Sequence, residues 1–254
     1  MTAIVAQHVK SRLEKPGLYP PRNGGTPVPA MLAPWSTPYP DYAPGEPFTA
    51  QVVLDHAKPG GWADPADPKD LTREIKSYTG PLQRDAAGRL LNPMGRTGIA
   101  GRGLLGRWGP NFAADPIVVR QNPETGQLEM LAIRRKDTGQ WAIPGGMVDE
   151  GEAITQTLAR EFKEEAGVKL DMSDAFELYR GYADDPRNTD HAWMETTVCL
   201  KVLSPEQAAK MKPKAGDDAA AVRWMALTKE NIAQLYGNHA EFVRLAVAEL
   251  TKQA

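Results

Sequence analysis

Gly146-Met147-Val148-Asp149-Glu150-Gly151-Glu152, followed by Arg160-Glu161-Phe162-Lys163-Glu164-Glu165-Ala166-Gly167-Val168, is the stretch on which the reading of this chain turns. At about 100° per residue, Glu161, Glu164 and Glu165 fall within roughly a third of a helix circumference. Like charges at i,i+3 and i,i+4 repel, so a helix that gathers them needs a cation to gather them around. Oxygen donors without cysteine or histidine point to a hard ion, Mg²⁺ or Mn²⁺.

Ile154, Leu158 and Phe162 recur at i+4 and form an apolar stripe. Glu161 and Glu165 border it, and Lys163 falls on the far side. The acids are therefore expected at the seam between helix and protein body. Gly145-Gly146 allows a tight turn before the helix, and Gly167 is a stop just after it. A merely solvated acidic helix would need the carboxylates, the arginine and the flanking glycines to coincide by chance.

The pattern resembles the Nudix box, G-x5-E-x7-R-E-U-x-E-E-x-G-U with U a bulky apolar residue. Gly146, Glu152, Arg160, Glu161, Phe162, Glu164, Glu165, Gly167 and Val168 fill its fixed positions; phenylalanine at 162 is a mild departure. The resemblance implies an α+β fold, the Nudix α/β/α sandwich with a mixed sheet, and hydrolysis of a nucleoside diphosphate linked to another group.

The chain has 254 residues and a net charge of −2. That length suits one large domain or two modest ones. Without a cationic excess, a nucleic-acid duplex is not expected as the main partner. The single cysteine, Cys199, excludes an intrachain disulfide and reads as a buried strand residue. No stretch has the apolar length of a membrane span. The first residues lack a secretory apolar core and only faintly resemble an organelle transit peptide. A cytoplasmic monomer is expected, with the mitochondrion as the alternative compartment.

Residues 1–112 read as a smaller, proline-rich N-terminal domain and 113–254 as the Nudix domain. Between about residues 15 and 70 prolines are dense, but Tyr19, Trp35, Tyr39, Tyr42 and Phe48 are interleaved, which a disordered linker would lack. The run 48–54 reads as a strand. A glycine/arginine loop follows at 95–111, whose Arg102 and Arg107 are open to either a phosphate-binding or an ion-pairing role. Beyond it, 116–120 and 128–133 read as strands around a turn at 122–126. Further strands are expected at 176–180, 192–202 and 221–225, and a helix over 238–250.

Trp141-Ala142-Ile143-Pro144-Gly145-Gly146, the loop at 181–196 and Ala215-Gly216-Asp217-Asp218-Ala219 carry a finer resemblance, to the ADP-ribose pyrophosphatases of the mitochondrial type and to the related domain of an ADP-ribose-gated channel. This likeness implies hydrolysis of ADP-ribose to AMP and ribose 5-phosphate with Mg²⁺. It implies substrate contacts at Asp185, Arg187, Tyr236, Asn238 and His239. Hydrolysis of other nucleoside diphosphate sugars, or non-catalytic sensing of ADP-ribose, are the alternative functions. The intact box favours the enzyme.

Glu161, Glu164 and Glu165 are the expected metal ligands, joined by a carbonyl of Gly145 or Gly146. Glu152 is open to two roles, a ligand through water or a partner of Arg160. Arg160 is expected to orient the glutamates, since guanidinium does not release its proton. A carboxylate on a loop outside the box is the family's base, which makes Asp217 or Asp218 the candidate here.

Overall fold

The computed structural model describes residues 8–13, 17, 19, 27–216 and 219–252. Two compact units divide the chain. Unit 1 holds residues up to Asn111 and the segment Gly181–Glu195; unit 2 holds Phe112–Arg180 and the residues from Thr196 onward.

The elements, in chain order, are α1 (Gln51–Asp55), β1 (Gly109–Gln121), β2 (Leu128–Arg135), β3 (Trp141–Ala142), β4 (Gly146–Met147), α2 (Ile154–Ala166), β5 (Phe176–Ala183), β6 (Ala192–Val202), α3 (Pro205–Lys210), β7 (Ala219–Ala226), α4 (Lys229–Ala233) and α5 (His239–Lys252). The sheet runs β3-β2-β1-β6-β5, with β4 paired to β1 and β7 to β2. Asn122 nucleates the turn between β1 and β2: its Oδ1 accepts the N–H groups of Glu124 and Thr125 at 2.9 and 3.0 Å. That turn sets Val119 opposite Met130 and Arg120 opposite Glu129.

Strand alternation makes unit 2 a three-layer sandwich. Ile117, Val119, Met130, Ala132, Val198 and Leu200 face one way and bury Phe242, Val243 and Ala246 of α5. Val118, Leu131 and Cys199 face the other way and bury Leu158, Phe162 and Ala166 of α2. Successive strand residues must point to opposite faces, so the near-continuous apolar runs of β1 and β2 read as strands covered on both sides. Cys199 lies in the second of these cores, and burial pushes its thiol up to about 11. Among the described residues, no helix is long and apolar enough to cross a membrane.

Unit 1 has little regular structure and relies on side chains that satisfy backbone. Arg96 donates to the carbonyls of Leu32, Pro34 and Thr37 and lies over the Trp35 and Tyr42 rings at 4.9 and 5.2 Å. The aromatics among the prolines thus enclose a cation. The run 48–54 departs from its strand reading. Thr49 makes one bridge to Gly103, and the chain then turns into α1. Only Val53 of the α1 residues is buried, while Val52 and Leu54 are exposed, so β-branched propensity had no second face to cover and tertiary context decided.

Gly181–Glu195, although it follows residues 113–180 in the chain, is grouped with unit 1. The reason lies in its hydrogen bonds. Buried Asp184 accepts the backbone N–H groups of Val9, Lys10 and Ser11 at 2.8, 2.9 and 2.9 Å. Asn92 donates its N–H to the Asp190 carbonyl at 2.8 Å.

Candidate active site

The site in unit 2 is built by β4, α2 and the Trp141–Gly146 loop. Leu158 and Phe162 are fully buried, which fixes the roll of α2 and brings Glu161, Glu164 and Glu165 round to one side. Gly167, at φ 70°, ends the helix in the left-handed conformation that glycine adopts without cost. Gly145 and Gly146 are required by close approach. A side chain at 146 would overlap the Glu161 carboxylate, and one at 145 would meet Asp115 and the Ala114 carbonyl.

Arg160 is the hub. Its Nε and Nη2 grip Glu152 at 2.9 and 2.8 Å, the two-point geometry that suits guanidinium and carboxylate. Its Nη1 reaches Glu161 at 2.6 Å and Glu164 at 3.4 Å, and Nη2 also donates to the Met147 carbonyl at 2.9 Å. Hydrogen bonding from Arg160 draws the Glu152 carboxyl down to about 2; the same bond raises the Arg160 pKa beyond its ordinary range. Glu152 is paired with Arg160 in this geometry.

Glu165 differs from its neighbours. It is buried, and its Oε2 accepts the Gly145 N–H at 2.8 Å. Burial pushes its carboxyl up to about 8, and the charges of Glu161 and Asp115 add to the shift. Burial also raises Glu161, against the pull of Arg160.

These groups border a cavity of about 470 Å³ lined by Glu161, Glu164 and Glu165 and also by Arg135 and Lys136. Among the described residues, no three acidic, histidine or cysteine groups close on one point as they stand. Glu161 and Glu164 turn to Arg160, and Glu165 to Gly145. The donor set nevertheless fits a hard divalent cation. It is all oxygen, borders one cavity, and contains two carboxyls whose charged forms burial disfavours until a positive charge arrives.

Of the expected substrate contacts, Tyr236 and His239 lie near this cavity's rim residues in unit 2. The Arg135 guanidinium sits over the Tyr236 ring at 4.4 Å, and His239 Nδ1 accepts the Ile143 N–H at 2.9 Å. The Asn238 carbonyl accepts from Glu241 and Phe242 and opens α5. Asp185 and Arg187 belong to unit 1, where they form a two-point pair at 2.8 and 2.9 Å. Asp217 and Asp218 lie outside the described residues. Their neighbours Lys214 and Gly216 donate to the carbonyls of Ala166 and Glu165 at the end of α2.

Arg102 and Arg107 both make contacts within unit 1. Arg102 is fully buried and donates to the Asp64 and Gly106 carbonyls; Arg107 pairs with Asp64 at 3.0 Å. Arg135, Lys136 and Asp115 escaped the sequence reading. The run Arg134-Arg135-Lys136 ending β2 was the available signal for the first two. Nothing in sequence marked Asp115, an acid inside an apolar strand, as a neighbour of Glu165.

Residues 112–246 match the family model described as NUDIX domain, and residues 28–109 match the one described as NUDT9-like, N-terminal domain. A Caenorhabditis elegans protein bearing a nudix hydrolase name is 46% identical over 237 residues, 86% of this chain and 88% of that one. The mitochondrial ADP-ribose pyrophosphatase of Rattus norvegicus is 43% identical over 262 residues, 87% of this chain and 73% of that one. A transient receptor potential cation channel subfamily M member-like 2 from Nematostella vectensis is 44% identical over 246 residues, 81% of this chain but 15% of the channel.

Proposed function

Because the chain belongs to the Nudix family, we propose that it hydrolyses ADP-ribose to AMP and ribose 5-phosphate with a divalent metal ion, Mg²⁺ or Mn²⁺. The observation that carries this reading is the gathering of Arg160, Glu161, Glu164 and Glu165 at one cavity that Arg135 and Lys136 also line. The likeness to the rat pyrophosphatase over most of the chain supports ADP-ribose as the substrate.

A phosphoanhydride repels an incoming hydroxide. A divalent ion, when bound, offsets that charge and acidifies a water. Glu161, Glu164 and Glu165, with the Gly145 carbonyl, would hold it. Arg160 moves no proton and acts by fixing three carboxylates. Arg135 and Lys136 are placed to neutralise phosphate oxygens. Asp217 or Asp218 is the candidate base. Asp185, Arg187, Tyr236, Asn238 and His239 are the candidate contacts to the nucleoside and ribose.

The rat relative is named as mitochondrial, which supports that compartment over the cytoplasm first expected. A monomer acting on a small molecule, without nucleic acid, completes the reading. Its test is hydrolysis of ADP-ribose in ¹⁸O-water with Mg²⁺. Labelled AMP or labelled ribose 5-phosphate identifies the phosphorus attacked. Absence of metal-dependent AMP release under saturating substrate overturns the enzyme and leaves the sensor.

A further inference from the structure

Unit 1 contains a second cavity, of about 480 Å³, that the chemistry above does not use. Every residue lining it belongs to unit 1. His191 lines it while only 4% exposed. Its Nδ1 lies 2.8 Å from the Leu90 carbonyl, so the ring proton of the neutral side chain sits there and is donated to that oxygen. Nε2 is then a lone pair with no hydrogen-bond partner among the described residues. That lone pair is on a residue lining the cavity, where a ligand with a hydroxyl can donate to it.

Two cations share the lining. The Lys69 ammonium has no ion-pair partner among the described residues. Arg89 uses Nε on Asp85 at 2.7 Å, which leaves the outer nitrogens of its fork available. One acid, Asp67, also lines the cavity; its Oδ1 accepts the Lys69 backbone N–H at 2.9 Å. Trp108 supplies an apolar wall. Its Nε1 is spent on the Pro65 carbonyl, and the Arg102 guanidinium lies over its ring at 5.1 Å.

We propose that this cavity binds a sugar phosphate, with Lys69 and Arg89 on the phosphate, His191 Nε2 accepting from a sugar hydroxyl and Trp108 against the carbon skeleton. Inorganic phosphate has no carbon skeleton to lie against Trp108 and fills little of the space. A nucleobase would want an open aromatic face, and Arg102 already lies over the Trp108 ring.

Equilibrium dialysis of the full chain against radiolabelled ribose 5-phosphate, with EDTA present, tests this. One saturable equivalent is expected, retained when both Glu164 and Glu165 are changed to glutamine. Lys69→Ala, at an exposed position, weakens binding at least about tenfold, the loss of one charge-assisted contact, and Lys69→Arg restores it. His191→Phe weakens it likewise, with the melting temperature reporting that the variant folds. Four results overturn the proposal: no saturable binding, unchanged binding in Lys69→Ala, loss of binding in the double glutamine variant, or displacement by inorganic phosphate or AMP at equal concentration.

Discussion

At the scale of single residues, the site sets one charge-dependent hub against one buried acid. Removing either kind of carboxylate has a calculable consequence. Glu164→Gln and Glu165→Gln should each lower kcat by at least about a hundredfold, the loss of several kcal/mol of transition-state stabilisation, while circular dichroism and melting show a folded protein. Near-normal turnover of both at saturating Mg²⁺ would falsify their assignment as ligands. Glu165 also makes a prediction about pH. Its carboxyl ordinarily titrates near 4.5 and here near 8, so the folded state binds its proton more tightly than the unfolded chain does. In metal-free protein this contribution to stability is complete below about 4.5 and disappears as pH rises to about 8. Urea midpoints in EDTA should therefore fall across that window more steeply for the wild type than for Glu165→Gln. An ion that needs the carboxylate must displace the proton, so metal affinity should drop below about pH 8. Arg187→Ala belongs to the same scale. It should raise KM about tenfold or more with a smaller change in kcat, as loss of one charge-assisted contact of about 1.5–3 kcal/mol predicts. Equal KM values would remove Arg187 from the substrate's contacts.

At the scale of elements, the loop–helix–loop around α2 divides into parts that hold the fold and parts that aim the site. Phe162→Ala should cost about 3–5 kcal/mol of stability, because the ring is fully buried against β1 and β2. Gly146→Ala should behave differently. The atom it displaces is the end of the Glu161 side chain, which can move, so activity falls more than stability. Gly145→Ala meets backbone at Ala114 and should lose both, as denaturation midpoints and kcat measured side by side will show. The strands around Asn122 and the helix over 154–166 were legible because period and turn chemistry agreed with one another. Run 48–54 was not, because three apolar residues in a row satisfy a strand and a single helical turn equally well. Arg135 and Lys136 were passed over because charged residues at the end of a strand are ordinarily solvated; only the cavity makes them neighbours of the glutamates. The pairing of Glu152 with Arg160 lay open in the sequence and needed coordinates to be decided.

At the scale of the whole molecule, what sequence could not convey was discontinuity. Adjacent residues announce themselves by pattern, whereas the attachment of Gly181–Glu195 to residues 9–11 and 92 leaves no local trace. A chain shortened to start at residue 112 should consequently fail to fold as an active fragment. It keeps buried Asp184 and Asn188 but discards the backbone donors of Val9–Ser11 and the Ser11 hydroxyl that satisfy them. Soluble, fully active 112–254 would contradict this. The same discontinuity bears on biosynthesis. Vectorial synthesis favours units that finish in the order they emerge, and here the first unit waits for a hairpin translated some seventy residues after its own apparent end. Until the ribosome delivers that hairpin, the early polypeptide carries orphaned donors and uncovered aromatics, and its demand for chaperones should be greatest while the second unit is being made.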